Sequence, residues 1–555
     1  MRKYVFFVFI LLLSALSLSA VEPPTSFDFS VVRDIAVLDG GRYKPLDTFA
    51  GESMKTLTGR WKYHGADHMG MLLSLLAQPD WANEKLIRLD YRPLKETLGL
   101  ASQETFFSYS ELSANPHFQQ WADRVIQKSS ADQKLNRLEE EIGALMHQLN
   151  LFQDIVKGEA AHIVPPPPGS PQNSDWLPIV SAMSYTQETQ DSLKQAYRNL
   201  LAAVRTHDSK AFAQAGRDLK AQLARLNPAS YPSLEDLQRE IYFNRSRPFL
   251  NAWIFYLLAF LMLLTSFFYT HRILYWASFA VFDIGFIYHS LGLILRSLIS
   301  GRAPVSNMYE SVIFVGWGII LFALVFEAIY RRRWFIACAS FLGVCTLILA
   351  DILPFDSNIE PLVPVLRNNY WLIVHVLTIT ISYSAFALAM GLAHIVMAIY
   401  FYFPQRKALL KELNLFIYRV LQAGVVLLAA GTILGGVWAA ESWGRFWGWD
   451  PKETWALISL LGYMVILHAR SINWLRDFGT AVGAILGFWL ILMTWYGVNF
   501  VLASGLHSYG FGSGGGMYVL IYLGLELLFL VLAGWKYRLF QNEEMNRIAA
   551  SATAK

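Results

Sequence analysis

The stretch Trp443-Gly-Arg-Phe-Trp447-Gly-Trp449-Asp450-Pro451-Lys452-Glu453-Thr454-Trp455 lies between two long apolar runs, near 415–437 and 453–474. Glycines and the Asp-Pro pair interrupt the first run, and the second restarts with Asp450 as N-cap, Pro451 at the first helical position and Glu453 at the third. Each run is long enough to cross a hydrocarbon core of about 30 Å. Tryptophans broken by glycines at such an edge present flat apolar walls and N–H donors at the water boundary, which suits a large planar amphipathic ligand.

Seven further apolar segments surround this pair, at 249–270, 273–299, 307–330, 334–353, 369–403, 478–502 and 517–537, so the part from 248 to 555 is expected to hold about nine transmembrane helices. The composition agrees: 54% of the 555 residues are hydrophobic and 16% charged, more apolar than a soluble domain of this size. Basic residues fall on alternate connections (His271-Arg272, Arg331 to Arg333, Arg406 with Lys407 and Lys411, Arg470 with Arg476, Lys536 with Arg538). The positive-inside rule makes those connections, and the C-terminus, cytoplasmic. The 301–307 loop, the start of the fifth span, the tryptophan segment (438–458) and the loop with His507 then face outward, the periplasmic side of an inner (cytoplasmic) membrane.

Ahead of the spans, Met1–Ala20 has Arg2 and Lys3 before an apolar core and ends in small residues, as a signal peptide or an N-terminal anchor would. From 21 to 247 the chain is polar and without a spanning segment, which reads as an exported, largely helical soluble domain. Leu135, Leu138, Ile142, Leu145, Leu149 and Phe152 follow helical spacing, as do Leu193, Tyr197, Leu200, Val204, Phe212, Leu219 and Leu223. Pro165 to Pro168 between them reads as the tip of an antiparallel helical hairpin. The fold class expected is thus mainly α: a polytopic helical membrane protein with an N-terminal exported domain.

Several function classes are excluded. A net charge of +4 with no basic run interleaved with aromatics argues against nucleic acid as a partner. Cys338 and Cys345 share one apolar stretch and read as packing residues, so the chain has no CxxC and no CxxCH of its own. No Ser/His/Asp or paired-carboxylate arrangement is evident. His375 and His507 flank the tryptophan platform on the expected outer face, and two such imidazoles suit haem iron. His468 falls inside the seventh span, where an ionisable residue is a functional candidate; a second haem position is one explanation. Plainer roles exist for each: interfacial histidines, an aromatic belt, and for Asp450 a helix cap.

The run Trp443 to Ile458, continuing to Leu467-His468-Ala-Arg470, resembles the tryptophan-rich WWD signature of haem-handling proteins and points to the CcsA (ResC) branch, the cytochrome c synthetase of the system II pathway. Further matches are Gly301-Arg-Ala-Pro304-Val-Ser306-Asn307-Met-Tyr309-Glu310-Ser311, Trp371-Leu-Ile-Val-His375-Val376 and Gly505-Leu506-His507-Ser508-Tyr509. The resemblance implies that haem b is carried across the membrane and held by His375 and His507, the catalytic pair, against Trp443, Trp447, Trp449 and Asp450. It would then be joined by thioether bonds to CxxCH motifs of apocytochromes c, a haem lyase activity. A membrane-embedded pair would receive haem first; His468 matches one member, and His289 or His394 are the candidates for the other. At a rise of about 1.5 Å per residue His394 lies roughly 6 Å and His289 roughly 10 Å from the level of His468, a difference that helix tilt leaves indecisive. A CcsB/ResB-like subunit, thiol reductants and membrane lipid are the further partners implied. The alternatives are a haem exporter or delivery module without ligation, or a b-type electron-transfer cytochrome; the latter needs histidine pairs mid-span, whereas His375 and His507 sit near loops.

Overall fold

The computed structural model describes residues 27–502 and 515–553, apart from 64, 132, 172–173, 182–183, 270, 354 and 362–368. The Met1–Ala20 segment and His507 therefore lie outside the described residues. The chain forms two compact units, Met1–Arg245 and Ser246–Lys555.

In the first unit, the apolar faces of helices Leu46–Thr58, His68–Ala77, Gln187–Arg205 and Ser209–Leu226 meet in one core around Phe49, Met54, Leu72, Leu200 and Phe212. Helix Arg137–Lys157 is capped at its start by a reciprocal Asn136–Glu139 box. It bridges two cores, sending Ile142, Leu145 and Leu149 to one and Phe152 and Ile155 to the other. The proline segment is not the tip of a hairpin between the two periodic runs. Prolines have no N–H to continue a helix, and the chain around them is extended, with His162–Val164 pairing antiparallel to Leu177–Pro178. The second run instead folds on itself: it breaks at Thr206 to Asp208, where His207 takes φ +55° and the Asp208 carboxylate caps the next helix.

Among the described residues the second unit has nine long helices, one on each apolar segment. In order they are Pro248–Phe268, Arg272–Ser300, Met308–Tyr330, Trp334–Ile352, Leu377–Tyr402, Lys407–Trp443, Pro451–Ser471, Asp477–Leu492 and Gly516–Thr553. Eight of them are long and apolar enough to cross a membrane. The seventh falls short, because 21 residues carrying Lys452, Glu453, His468 and Arg470 dilute its apolar stretch. The fifth helix is the hub. It packs against the third, fourth, sixth, eighth and ninth helices, and 78% of its apolar window is buried, against 17% for the ninth. The start of the fifth helix is more open, with residues 374–379 half-buried.

Candidate functional site

His375 stands on a short π-helical stretch, Leu372–Val376, that leads into the fifth helix. Such stretches widen the helix and re-aim a side chain. Its Nδ1 lies 2.8 Å from the carbonyl oxygen of Gly431 on the sixth helix. A carbonyl only accepts, so Nδ1 carries the proton and the lone pair falls on Nε2. This is how an iron-ligating imidazole is commonly oriented, by a backbone acceptor on its far nitrogen. The ring is 5.7 Å from the Trp438 ring, and Gly435 makes room for it: a Cβ there would stand 2.6 Å from His375 Cε1.

His375 faces a largely apolar cavity that is partly open to solvent. Segments far apart in sequence converge on it: Val305 to Met308 and Ser311, Trp438, Trp447, Lys452 and Glu453, and Thr494, Trp495, Asn499 and Phe500. The last four belong to a second π-helical stretch, Met493–Leu502, which continues the eighth helix. Trp495 Nε1 donates to Ser311 Oγ at 2.9 Å and joins two of these walls.

The tryptophan segment is an ordered loop. The sixth helix ends at Gly444 in the left-handed region, and Asp450 caps the seventh, accepting from Lys452 N at 2.9 Å. Glu453 closes the loop: it accepts from Gly448 N at 2.7 Å and Asp450 N at 3.2 Å and pairs with Arg445 at 3.1 Å. Arg445 in turn lies over the Trp443 ring. Of the three tryptophans expected at the site, Trp447 lines the cavity; Trp449, 70% exposed, meets Trp447 edge-on at 6.0 Å; Trp443 lies beneath Arg445. Asp450 is buried as a cap. Glu453→Ala is expected to destabilise the protein by about 1–2 kcal/mol, since it strands two loop N–H groups and a guanidinium. It should also speed trypsin cleavage after Arg445; an unchanged cleavage rate would contradict this role.

The opposite wall is clamped from behind. Arg296 and Glu310, both almost fully buried, pair at 2.7 Å. Arg296 also donates to the carbonyls of Ser357 and Asn358, and Glu310 accepts from Ser306 N and Oγ at 2.8 and 2.6 Å. One ion pair thus fixes the 301–311 segment that lines the cavity and ties it to residues 357–358. Glu310→Ala leaves a buried guanidinium without its carboxylate and should cost about 3–5 kcal/mol, read as a lower melting temperature of the detergent-solubilised protein. Glu310→Gln, which keeps an acceptor, should cost less; equal losses would contradict the ion-pair explanation.

The other histidines separate by what their nitrogens do. His289 is fully buried, with Nε2 donating to Ile313 O at 3.0 Å and Nδ1 3.3 Å from the Tyr256 hydroxyl. His394 donates from Nδ1 to Met390 O at 2.8 Å and meets Glu526 with Nε2 at 3.1 Å. Glu526 also accepts from Tyr522 at 2.7 Å and from Trp489. His394 therefore belongs to a polar cluster that pins the ninth helix to the fifth and eighth. His468 donates from Nδ1 to Met464 O at 2.7 Å, which leaves its lone pair on Nε2 at an exposed position. It sits in the last turn of the seventh helix, which ends at Ser471.

The amino-acid sequence by itself did not single out Trp438, Gly431, Gly435, Trp495, Asn499 or Lys452 as site residues. Indexing a helical face from His375 gives Ile379, Thr380 and Tyr383, which do line the cavity, and the Gly431-x-x-x-Gly435 spacing marks a close helix approach.

The family described as "Cytochrome C assembly protein" matches residues 305–507, the region that carries the cavity walls. Protein NrfI of Wolinella succinogenes is 32% identical over 496 residues, covering 85% of this chain and 53% of NrfI. Two proteins from Prochlorococcus marinus strains, each named cytochrome c biogenesis protein CcsA, are 36% and 37% identical over 256 and 253 residues, covering 40% of this chain and 80% of each. The chain spans about half the length of NrfI and most of CcsA. It belongs to the CcsA-type family of cytochrome c biogenesis proteins, integral membrane proteins of the cytochrome c assembly class.

Proposed function

We propose that this chain handles haem for cytochrome c maturation, holding it in the His375 cavity and joining it to apocytochromes c. The observation that carries this reading is the convergence on one cavity of an imidazole with its lone pair on Nε2, an aromatic wall that includes Trp447, and the walls built by 305–311 and 494–500. Haem b is the substrate. His375 supplies one axial ligand and His507, five residues beyond Leu502, the other. The face is the outer one of the cytoplasmic membrane, with the first unit exported to the same side.

The chain's contribution to ligation is positioning. A CxxCH segment docks at the open side of the cavity, and its histidine replaces one axial ligand. Each cysteine S–H then adds across a haem vinyl group: sulfur bonds to one carbon, the proton goes to the other, and no external oxidant or reductant is consumed. Fixing thiol and vinyl side by side supplies the effective concentration the addition needs. The Glu453-closed loop and the Arg296–Glu310 clamp keep the two walls in place while this occurs.

His468, with its exposed Nε2, is the candidate for the earlier haem position. Neither His289 nor His394 offers a free lone pair, since both nitrogens of each are engaged. The second ligand there is best supplied by a separate CcsB/ResB-like subunit. The same engagement weighs against a b-type electron-transfer cytochrome with mid-span histidine pairs.

The test is co-expression, with and without a CcsB-like subunit, with a CxxCH reporter cytochrome in a host that lacks its own maturation system. Covalently attached haem in the reporter supports ligation. Haem bound by this chain with no covalent product in either arrangement would instead identify a haem exporter.

A further inference from the structure

Lys452 lines the His375 cavity from the start of the seventh helix. Its backbone N–H is used by the Asp450 cap, but among the described residues no hydrogen bond or ion pair reaches its ammonium group. The carboxylates nearest in sequence make no ion-pair contact with it among the described residues. Glu453 is held by Arg445 and two loop N–H groups, and Asp450, the helix cap, acts on Lys452 only electrostatically. A cation on the wall of a largely apolar cavity is satisfied by an anionic acceptor.

We propose that Lys452 is the carboxylate-recognising residue of this cavity, pairing with a propionate of the bound tetrapyrrole. The proposal rests on the haem reading above. It gives the cavity a direction: a lysine-held polar edge fixes how the macrocycle is turned about the His375–iron axis, and so which edge carries its vinyl groups to the open side. Lys452 is then a positioning residue, acting on the ligand's periphery and not at the reacting carbons.

The experiment is an absorption titration of the purified, detergent-solubilised full chain with haem and with haem dimethyl ester, in which both propionates are esterified. Wild type, Lys452→Ala and Lys452→Arg are compared. Wild type is expected to bind the ester at least about tenfold more weakly than haem, by loss of a partly desolvated charge pair. Lys452→Ala should weaken haem by a similar factor while leaving the ester unchanged, and Lys452→Arg should restore most of the preference. Loss of haem and ester binding by the same factor in Lys452→Ala, or of neither, would overturn the proposal; a melting curve matching wild type separates this from misfolding. If the wild type binds neither ligand, the haem reading itself fails and the carboxylate assignment falls with it.

Discussion

His375→Ala, co-expressed with a CxxCH cytochrome, is expected to lower covalent cytochrome at least about a hundredfold, since removal even of groups that merely orient a metal ligand costs 10–100-fold. The side chain it removes has its Nδ1 proton committed to Gly431 O at 2.8 Å and its ring set beside Trp438, so no neighbour moves in to replace it. The truncated side chain leaves a space bounded by Trp438 and Gly435, and added imidazole should occupy it and restore part of the product. Rescue by imidazole separates a ligand role from a packing role. A variant that matures cytochrome normally, or one that is inactive and deaf to imidazole while folded, would contradict the assignment.

The second large effect concerns two glycines on the sixth helix. At Gly435 a Cβ would lie 2.6 Å from His375 Cε1 and about equally close to both ring nitrogens, at 3.1 and 3.2 Å. The imidazole must then rotate away and give up the Gly431 carbonyl. Gly435→Ala should cost about 10–100-fold in haem retention with only a modest change in melting temperature. At Gly431 a Cβ would meet backbone, the Cα of Ile379 at 2.9 Å, so the fifth and sixth helices must part. Gly431→Ala should lower stability by about 1–3 kcal/mol and haem retention as well. Melting curves beside haem content check the pair. A Gly435→Ala protein that keeps its haem, or one as destabilised as Gly431→Ala, would show that the close approach serves packing alone.

Much of the membrane unit was legible because a span is a simple object. Twenty or so apolar residues in sequence demand a helix wherever lipid offers the backbone no partner, so the nine helices fall where the apolar runs do. The Asp450 cap and Glu453 were legible for a similar reason, since capping is local chemistry. The proline segment of the first unit was misread because Pro165 to Pro168 marks where a helix must stop but carries no signal for the conformation that replaces it. That the flanks pair as strands depends on contacts across fourteen or so residues. The site was half legible. His375 and Trp447 announce themselves by residue type, but Trp438 and Trp495 look like any apolar aromatic of a span until the helices are packed. The nitrogen bookkeeping that separates His468 from His289 and His394 depends on Ile313 O, Tyr256 and Glu526, none of them near those histidines in sequence.

The most direct measurement is the reduced absorption spectrum of the protein purified from haem-replete cells, taken for wild type, His375→Ala and His507→Ala. The expected result is a six-coordinate bis-imidazole spectrum in wild type that weakens or shifts in both variants, with any signal that persists in both arising from a position that includes His468. Wild-type protein with intact fold and no such haem, or a spectrum unmoved by either substitution, would contradict the assignment of the cavity to haem.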